Sequence, residues 1–497
     1  MSVRFRSFAS ALVVSSLSLL APSLSHAQQT VEAAAGVPQP ATPPHPLGQH
    51  FFGVNIENSY FNSPPNWTAP AWLNAIREVG IEAVRYPGGD AGNYWDWQTG
   101  TVYPRGSATA TSDSLAELAF LAKNAGAVPI YNLNVLTLDN ELVDGSTLSS
   151  AIENQLSMLS SAHRLGLPVE DIELGNEFFW TSADHDAVFP TAADYSSAMK
   201  AWTAKLHQDY PAATIAVAAS IPYANDNRTK TWNAGVLGKV PGARAVTLHR
   251  YEGIIDGGMY DGTSPEAVLS YAFTDWAEIV KGEIEPIEKH GLHAWITEFG
   301  GLIDCTSDAH LTGTWLEGLY QSQMAIQFLS TPTVDQIDLY NISGSTGSLV
   351  FQDSSSYWDS CFGKNVSFHG APGELTATGH AYALIGNALK QANSVYPVRF
   401  PQAPSISPGA PAAAYPSLTG VALTGQHSQW LLLNLGEKPI TLSYPAMGEG
   451  QIESISAAAL TTLVTSEREL THTVRRFDGE RFALAPYSVN SITIGLR

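Results

Sequence analysis

Residues 171–180 read DIELGNEFFW, and the order of residue types in that stretch sets the fold. Ile172 and Leu174 alternate with acids at the two-residue period of a strand. The run then breaks at Gly175 into an amide, a second acid and three rings. Upstream lies LSSAIENQLSMLSSAHRLG (148–166) and downstream ADYSSAMKAWTAKLHQDYP (193–211). Both carry apolar residues at helical spacing and end in Gly or Pro, which stop helices. A short strand between two amphipathic helices is the repeat of a parallel sheet, because parallel neighbours need a crossover connection.

The same unit recurs. FFGVNIE (51–57), AVRYPGG (83–89), VPIYNLNV (128–135), DIELGNE, TIAVAAS (214–220), AVTLHRY (245–251), AWITEFG (294–300) and QIDLYNI (336–342) make eight short apolar runs. Helical patterns such as APAWLNAIREVG (69–80), SLAELAFLAKNAG (114–126) and AVLSYAFTDWAEIVKGEIEPIEKHG (267–291) separate them. Eight such units predict an α/β chain closed into a (β/α)8 TIM barrel over residues 50–393, ending in the helix TGHAYALIGNALKQAN (378–393). The alternative is an open doubly wound sheet, but no phosphate-binding glycine fingerprint follows the first run. Beyond 393 the chain is Pro-rich. It then gives strand patterns without helices, including QWLLLNLG (429–436) and RFALAPYSVNSITIGL (481–496), which predicts a C-terminal all-β sandwich over 394–497. That domain reads as a structural accessory before it reads as a sugar binder.

Arg4 and Arg6, then ALVVSSLSLLA (11–21), then SLSHA (23–27), follow the order of a secretory signal peptide over 1–27, cleaved after Ala27. The apolar run is shorter than the roughly 20 residues a bilayer span needs. Residues 28–49 read as a Pro/Ala-rich linker or arm, and the expected location is secreted or periplasmic. With 25 Lys and Arg against 46 Asp and Glu, the formal charge is −21, and loss of the leader makes it more negative. A nucleic acid or an anionic membrane is therefore not an expected partner, although a local basic pocket can still hold one acidic sugar. The two cysteines, Cys305 and Cys361, predict one disulfide between the loops after strands seven and eight in an exported chain. Closing about 55 residues, it stabilises by about 4 kcal/mol in the chain-entropy account.

In a (β/α)8 barrel the reactive groups sit at the C-terminal strand ends. Strand two closes with Arg85, Tyr86 and PGGD (87–90), and strand four with Asn176 and Glu177. Strand six closes with His249, Arg250 and Tyr251, strand seven with Thr297 and Glu298, and strand eight with Tyr340 and Asn341. Glu177 and Glu298 thus enter one mouth, and such a pair can divide glycoside hydrolysis between a general acid/base and a nucleophile. Phe178, Phe179 and Trp180 are expected to supply apolar walls that keep Glu177 protonated. Arg85 and Tyr251 are expected to donate to an ionised Glu298, with His249 supporting. Asn176 is placed to hold the hydroxyl beside the reacting carbon.

Taken singly, each has an ordinary reading: a helix cap for Asn176–Glu177, a loop ion pair for Glu298, a satisfied backbone group for His249. Their meeting at one rim, over apolar strand bodies, is what singles them out. Tyr60, Phe61, Tyr94, Trp95, Trp97, Tyr131, Trp180 and Tyr223 offer ring faces for sugars, about half of them expected in the cleft. Asp90 or Asn93 is expected to hydrogen-bond a terminal sugar. No metal-ligand spacing and no nucleophile elbow stands out, and neither cofactor nor metal is expected.

These segments resemble known groups. ELGNE (173–177) resembles the acid/base segment of the heparanase and β-glucuronidase family, and VTLHRY (246–251) its strand-six His/Tyr segment. VRYPGGDAGNYWDW (84–97) is similar to that group and to the α-L-arabinofuranosidases, while Phe178 stands where relatives often carry Pro. The resemblance implies a retaining (β/α)8 glycoside hydrolase with Glu177 as acid/base and Glu298 as nucleophile, supported by Asn176, Arg85, His249 and Tyr251.

The expectation is a secreted retaining exo-glycosidase, β-glucuronidase-like, with Arg250 or Arg105 on the substrate carboxylate. An α-L-arabinofuranosidase or other exo-glycosidase is the alternative, and a catalytically silent carbohydrate-binding barrel is the alternative from another class. A carbohydrate is the expected partner in every case.

Overall fold

The computed structural model describes residues 39–40, 43–56, 69–102, 111–112, 114–136, 148–220, 227–251, 264–300, 313–343, 347–351, 370–444, 448–479 and 481–495. Eight parallel strands close a barrel: β1 (Phe52–Asn55), β2 (Ala83–Tyr86), β3 (Val128–Asn132), β4 (Asp171–Leu174), β5 (Thr214–Ala218), β6 (Ala245–Tyr251), β7 (His293–Gly300) and β8 (Val334–Leu339). Outside them run α1 (Pro70–Val79), α2 (Leu115–Ala125), α3 (Leu148–Arg164), α4 (Ala192–Asp209), α5 (Asn227–Val236), α6 (Pro265–Ile279), α7 (Trp315–Leu329) and α8 (Ala377–Leu389). The (β/α)8 reading of the sequence holds.

Local chemistry sets the helix ends. Ser114 and Glu117 form a reciprocal capping box at α2, Thr191 and Asp194 another at α4, and Gly80 and Gly126 close α1 and α2 in the left-handed region. The long helix expected over 267–291 is not continuous. It passes through a π turn at Val280–Ile284 and resumes at Glu285–Lys289. Pro286 has no N–H for the carbonyl four residues back, and the wider turn absorbs that loss.

Inside the barrel, Ala83, Ile130, Ala216, Ala245 and Trp295 form an apolar cluster. Two residues further along their strands, on the same inward face, stand Arg85, Asn132 and Thr247. The barrel is therefore plugged below by Trp295 and small side chains, and becomes polar toward its C-terminal end.

The C-terminal strands are β9 (Ala392–Arg399), β10 (Leu418–Gly425), β11 (Ser428–Asn434), β12 (Ile440–Ser443), β13 (Glu449–Ala457), β14 (Leu470–Asp478), β15 (Arg481–Leu484) and β16 (Ser488–Ile494). An antiparallel sheet runs in the order β9-β10-β11-β16-β13-β14, and Gln39–Pro40 and His45–Pro46 of the N-terminal arm add to its β9 edge. The β12–β15 pair covers one face over Trp430, Leu432, Ile452 and Ile492, giving the two-layer β-domain. The other face lies on α7 and α8.

This docking explains why α7 is buried on nearly every side. At its start, Trp315 N donates to Thr462 O (2.9 Å), Leu316 N to Leu460 O (2.8 Å), and the Trp315 indole to Tyr487 O (2.6 Å). Trp315→Ala is expected to cost about 3–5 kcal/mol, read as a lower denaturant midpoint, because a fully buried indole leaves a cavity.

Candidate functional site

Two backbone irregularities aim the paired glutamates. Along β4, strict alternation turns Ile172 and Leu174 outward and Glu173 inward, all buried. Gly175 (φ 82°) and Glu177 (φ 48°) then take left-handed conformations. A Cβ on Gly175 would meet the Phe178 ring at 2.0 Å, so only glycine fits. Non-glycine residues rarely take the conformation of Glu177, which costs roughly 1–3 kcal/mol and marks a side chain aimed by its surroundings.

On β7 the device is a bulge. Thr247 pairs with Trp295 but His249 pairs with Glu298, so β7 carries one residue more than β6 between those pairs. Trp295 and Glu298, three apart, would face opposite ways in a regular strand. The extra residue turns Glu298 into the mouth.

Arg85, fully buried, is the centre of the site. Its Nε donates to Glu173 Oε2 (2.7 Å), Nη1 to Glu298 Oε1 (2.6 Å) and Asn55 Oδ1 (2.9 Å), and Nη2 to Asn176 Oδ1 (2.8 Å). The fixed fork of a guanidinium reaches four acceptors in this way, which a lysine ammonium cannot. Tyr251 Oη donates to Glu298 Oε2 (2.5 Å), so both oxygens of that carboxylate are held. The Tyr340 ring packs edge-on against Tyr251, with centroids 5.7 Å apart.

His249 joins the two acids. Its Nδ1 lies 2.7 Å from Glu177 Oε1 and 3.4 Å from Glu298 Oε2. Desolvation pushes the Glu177 carboxyl up from its ordinary range; the bond to His249 opposes this without cancelling it. For His249, burial works against the charged ring, but Glu298 and Glu177 outweigh it and the net direction is upward. Ligand atoms of Glu177, His249 and Glu298 lie within 4.8 Å of one another. That spacing also suits a cation, yet Glu298 is already committed to a buried guanidinium and a hydroxyl, and a dication beside Arg85 would be repelled.

Several expected site residues have other places. Asn93 is fully buried and clasps the Asn176 backbone: Nδ2 donates to Asn176 O (2.8 Å) and Oδ1 accepts from Asn176 N (2.9 Å). It fixes the turn and does not face the mouth. Asn176 Nδ2 donates to Asp90 Oδ1 (3.1 Å), and Asp90 is exposed at the rim, where a sugar can reach it.

Trp95, 1% exposed, packs edge-on against Tyr86 in the core and offers no sugar platform; Tyr131 is likewise buried. Arg250, between two inward residues of β6, turns outward and pairs with Asp275 of α6 at 3.4 Å, so alternation removes it from the mouth. Phe178 packs against His185, Phe189 and Tyr195 and braces the turn, and Trp180 is half-buried beside Phe179. Arg105, Tyr60, Phe61, Tyr223 and the Cys305–Cys361 pair lie outside the described residues.

Asn55 and Glu173, both ligands of Arg85, are not among the strand-end candidates named from the sequence, although Asn55 closes the first strand as a polar residue.

No protein-family model matches this chain, and no curated protein does. Solved structures do. A family 51 α-L-arabinofuranosidase from Bifidobacterium longum aligns with a TM-score of 0.69 at 13% identity, over 92% of this chain and 98% of that one. An α-L-arabinofuranosidase from Thermotoga maritima, in complex with arabinose, aligns at 0.66 and 15% identity, over 91% and 98%. A 4-O-α-L-rhamnosyl-β-D-glucuronidase from Fusarium oxysporum aligns at 0.60 and 14% identity, over 93% and 99%. At these identities the likeness establishes the fold, including the barrel and its C-terminal β-domain.

Proposed function

We propose that this protein is a retaining glycoside hydrolase with Glu298 as nucleophile and Glu177 as acid/base. One observation carries the reading: two strand-end carboxylates with oxygens within 4.8 Å of each other sit in contrasting surroundings. Glu177 is half-buried and pushed toward its protonated form, whereas Glu298 is gripped by Arg85 and Tyr251. Retaining enzymes hold the pair about 5–5.5 Å apart, while inverting ones leave roughly 6.5–9.5 Å for a water.

In the first step a Glu298 oxygen bonds to the anomeric carbon as the C–O bond to the leaving group breaks and Glu177 passes its proton to that oxygen. His249 Nδ1–H occupies Glu177 Oε1 and leaves Oε2 to carry the transferred proton. Glu177, now a carboxylate, then takes a proton from water as that water displaces Glu298 and restores the anomeric configuration.

Several of the structural relatives are named as α-L-arabinofuranosidases and one as a rhamnosyl-glucuronidase. The glucuronide reading rests on the ELGNE and VTLHRY resemblance; with Arg250 turned outward, Arg105 is left as its expected partner for the substrate carboxylate. On the weight of those relatives we place α-L-arabinofuranosides first and glucuronides second. A panel of nitrophenyl glycosides tests this: arabinofuranoside turnover is expected, and turnover of the glucuronide alone overturns the preference. Sugar binding with no turnover across the panel would support the silent-barrel alternative. The Arg4/Arg6 leader pattern supports the further reading that the enzyme is exported.

A further inference from the structure

Below the reacting carboxylates the barrel holds acids that hydrolysis does not itself require. Glu173 is fully buried on β4; its Oε2 takes the Nε edge of Arg85 at 2.7 Å and the Asn132 amide at 2.9 Å. Asp338 on β8 pairs with Gly53, one layer beneath the Asn55–Arg85 pair. It occupies room that a side chain at that glycine would take, since a Cβ there would meet Asp338 Oδ1 at 1.8 Å. One guanidinium thus faces two carboxylates on different edges of its plane, with a third acid beneath.

We propose that Glu173 is a positioning residue for the nucleophile: by holding the Nε edge of Arg85, it fixes the guanidinium plane and shares the positive charge that would otherwise fall on Glu298. The inference rests on the reading of Glu298 as nucleophile. A carboxylate that attacks carbon must stay ionised and yet remain basic enough to bond. An unshared, desolvated guanidinium at 2.6 Å would stabilise the anion at the expense of its reactivity. Splitting the charge between Glu173 and Glu298 keeps both properties. Asp338 takes no part, because burial, reinforced by Glu173, pushes it well above the usual carboxylate range and holds it neutral against the opposing pull of Arg85.

Charged and titratable groups surround Glu298 on every side of the barrel. They are Arg85 and, in the loop after it, Asp90 from β2; Glu173 and Glu177 from β4; His249 and Tyr251 from β6; and Asp338 from β8. Glu173 acts on Glu298 through Arg85, and the Asn132 amide acts through Glu173, so their substitution isolates the sharing.

The test is the pH dependence of kcat/KM on the aryl glycoside that the panel selects, whose good leaving group makes little demand on Glu177. Removing the Glu173 charge leaves more positive field at Glu298, which then keeps its charge to lower pH. Glu173→Gln should move the acid limb down by about one pH unit and lower kcat/KM more than kcat, because attack is slowed while departure of Glu298 is eased. Glu173→Asp should return the limb toward the parent position. Asn132→Ala takes a donor from Glu173, sharpens its negative charge and should move the limb the other way, so it decides the matter even if Glu173→Gln does not fold. Asp338→Asn should leave the limb in place.

A 2-deoxy-2-fluoro glycoside of the same sugar, with the labelled peptide read by mass spectrometry, checks the nucleophile separately. Label on Glu298 with an unmoved limb in Glu173→Gln and Asn132→Ala overturns this inference alone. Label on any other residue overturns both it and the nucleophile assignment.

Discussion

Replacing Glu298 by Gln is expected to lower kcat/KM by at least about 10⁴-fold without unfolding the protein. The substituted amide would keep the shape and an oxygen for Arg85 Nη1, but it cannot form the glycosyl ester through which a retaining enzyme works. The stability side follows from charge. At present one buried guanidinium stands among Glu173, Glu298 and the neutral Asp338, so the inner cluster carries an excess of negative charge, offset by Tyr251 and His249. Loss of the Glu298 charge leaves Arg85 and Glu173 as a matched pair. The variant should therefore melt at or above the parent temperature, as expected where a reactive site is held at the expense of stability. Thermal unfolding measured beside the kinetics separates the two effects. A stable variant retaining most of its activity removes Glu298 from the nucleophile role.

The barrel was legible because its signal is one of periodicity, and burial enforces periodicity. Eight apolar runs between helical patterns have few other ways to be buried, and capping residues such as Ser114, Thr191 and Gly126 mark the helix ends in the sequence itself. Glu177 and Glu298 were legible for a coarser reason: both end a strand, and every strand ends at the same rim.

Which way a side chain faces was harder to read. Alternation correctly turns Glu173 inward and Arg250 outward, but a list of polar strand ends ignores that parity and so counted Arg250 as a sugar ligand. For Glu298 alternation gives the wrong face, since Trp295 also points inward; the bulge between them leaves no mark in AWITEFG. Asn93 and Trp95 failed for another reason. The β2 loop folds back beneath Asn176, so residues that look like rim chemistry are spent on holding a turn. Long-range contacts of this kind, 83 positions apart in the chain, carry no local signature.

Removing the proposed acid/base is expected to give a loss that depends on the leaving group. With Glu177→Ala, hydrolysis of an unactivated glycoside should fall by about 10²–10⁴-fold, because no carboxyl proton remains for the departing alkoxide. A nitrophenolate leaves with little protonation, so formation of the glycosyl-enzyme should be nearly intact and the intermediate should accumulate, seen as a burst followed by slow turnover. Azide, which needs no general base, should restore turnover and yield a glycosyl azide of the substrate's own configuration.

The pH profile supplies the sign. Desolvation raises the Glu177 carboxyl, so the protonated acid persists to higher pH than an ordinary glutamic acid, and the alkaline limb of the parent kcat/KM reports its loss if Glu177 is the proton donor; in Glu177→Ala that limb should flatten. His249, 2.7 Å from the deleted carboxylate, also loses a partner that favours its charged form and should titrate lower. If azide gave no rescue and the alkaline limb were unchanged, Glu177 would not be the proton donor. Its left-handed backbone, its bond to His249 and its place above Glu298 would then need another use.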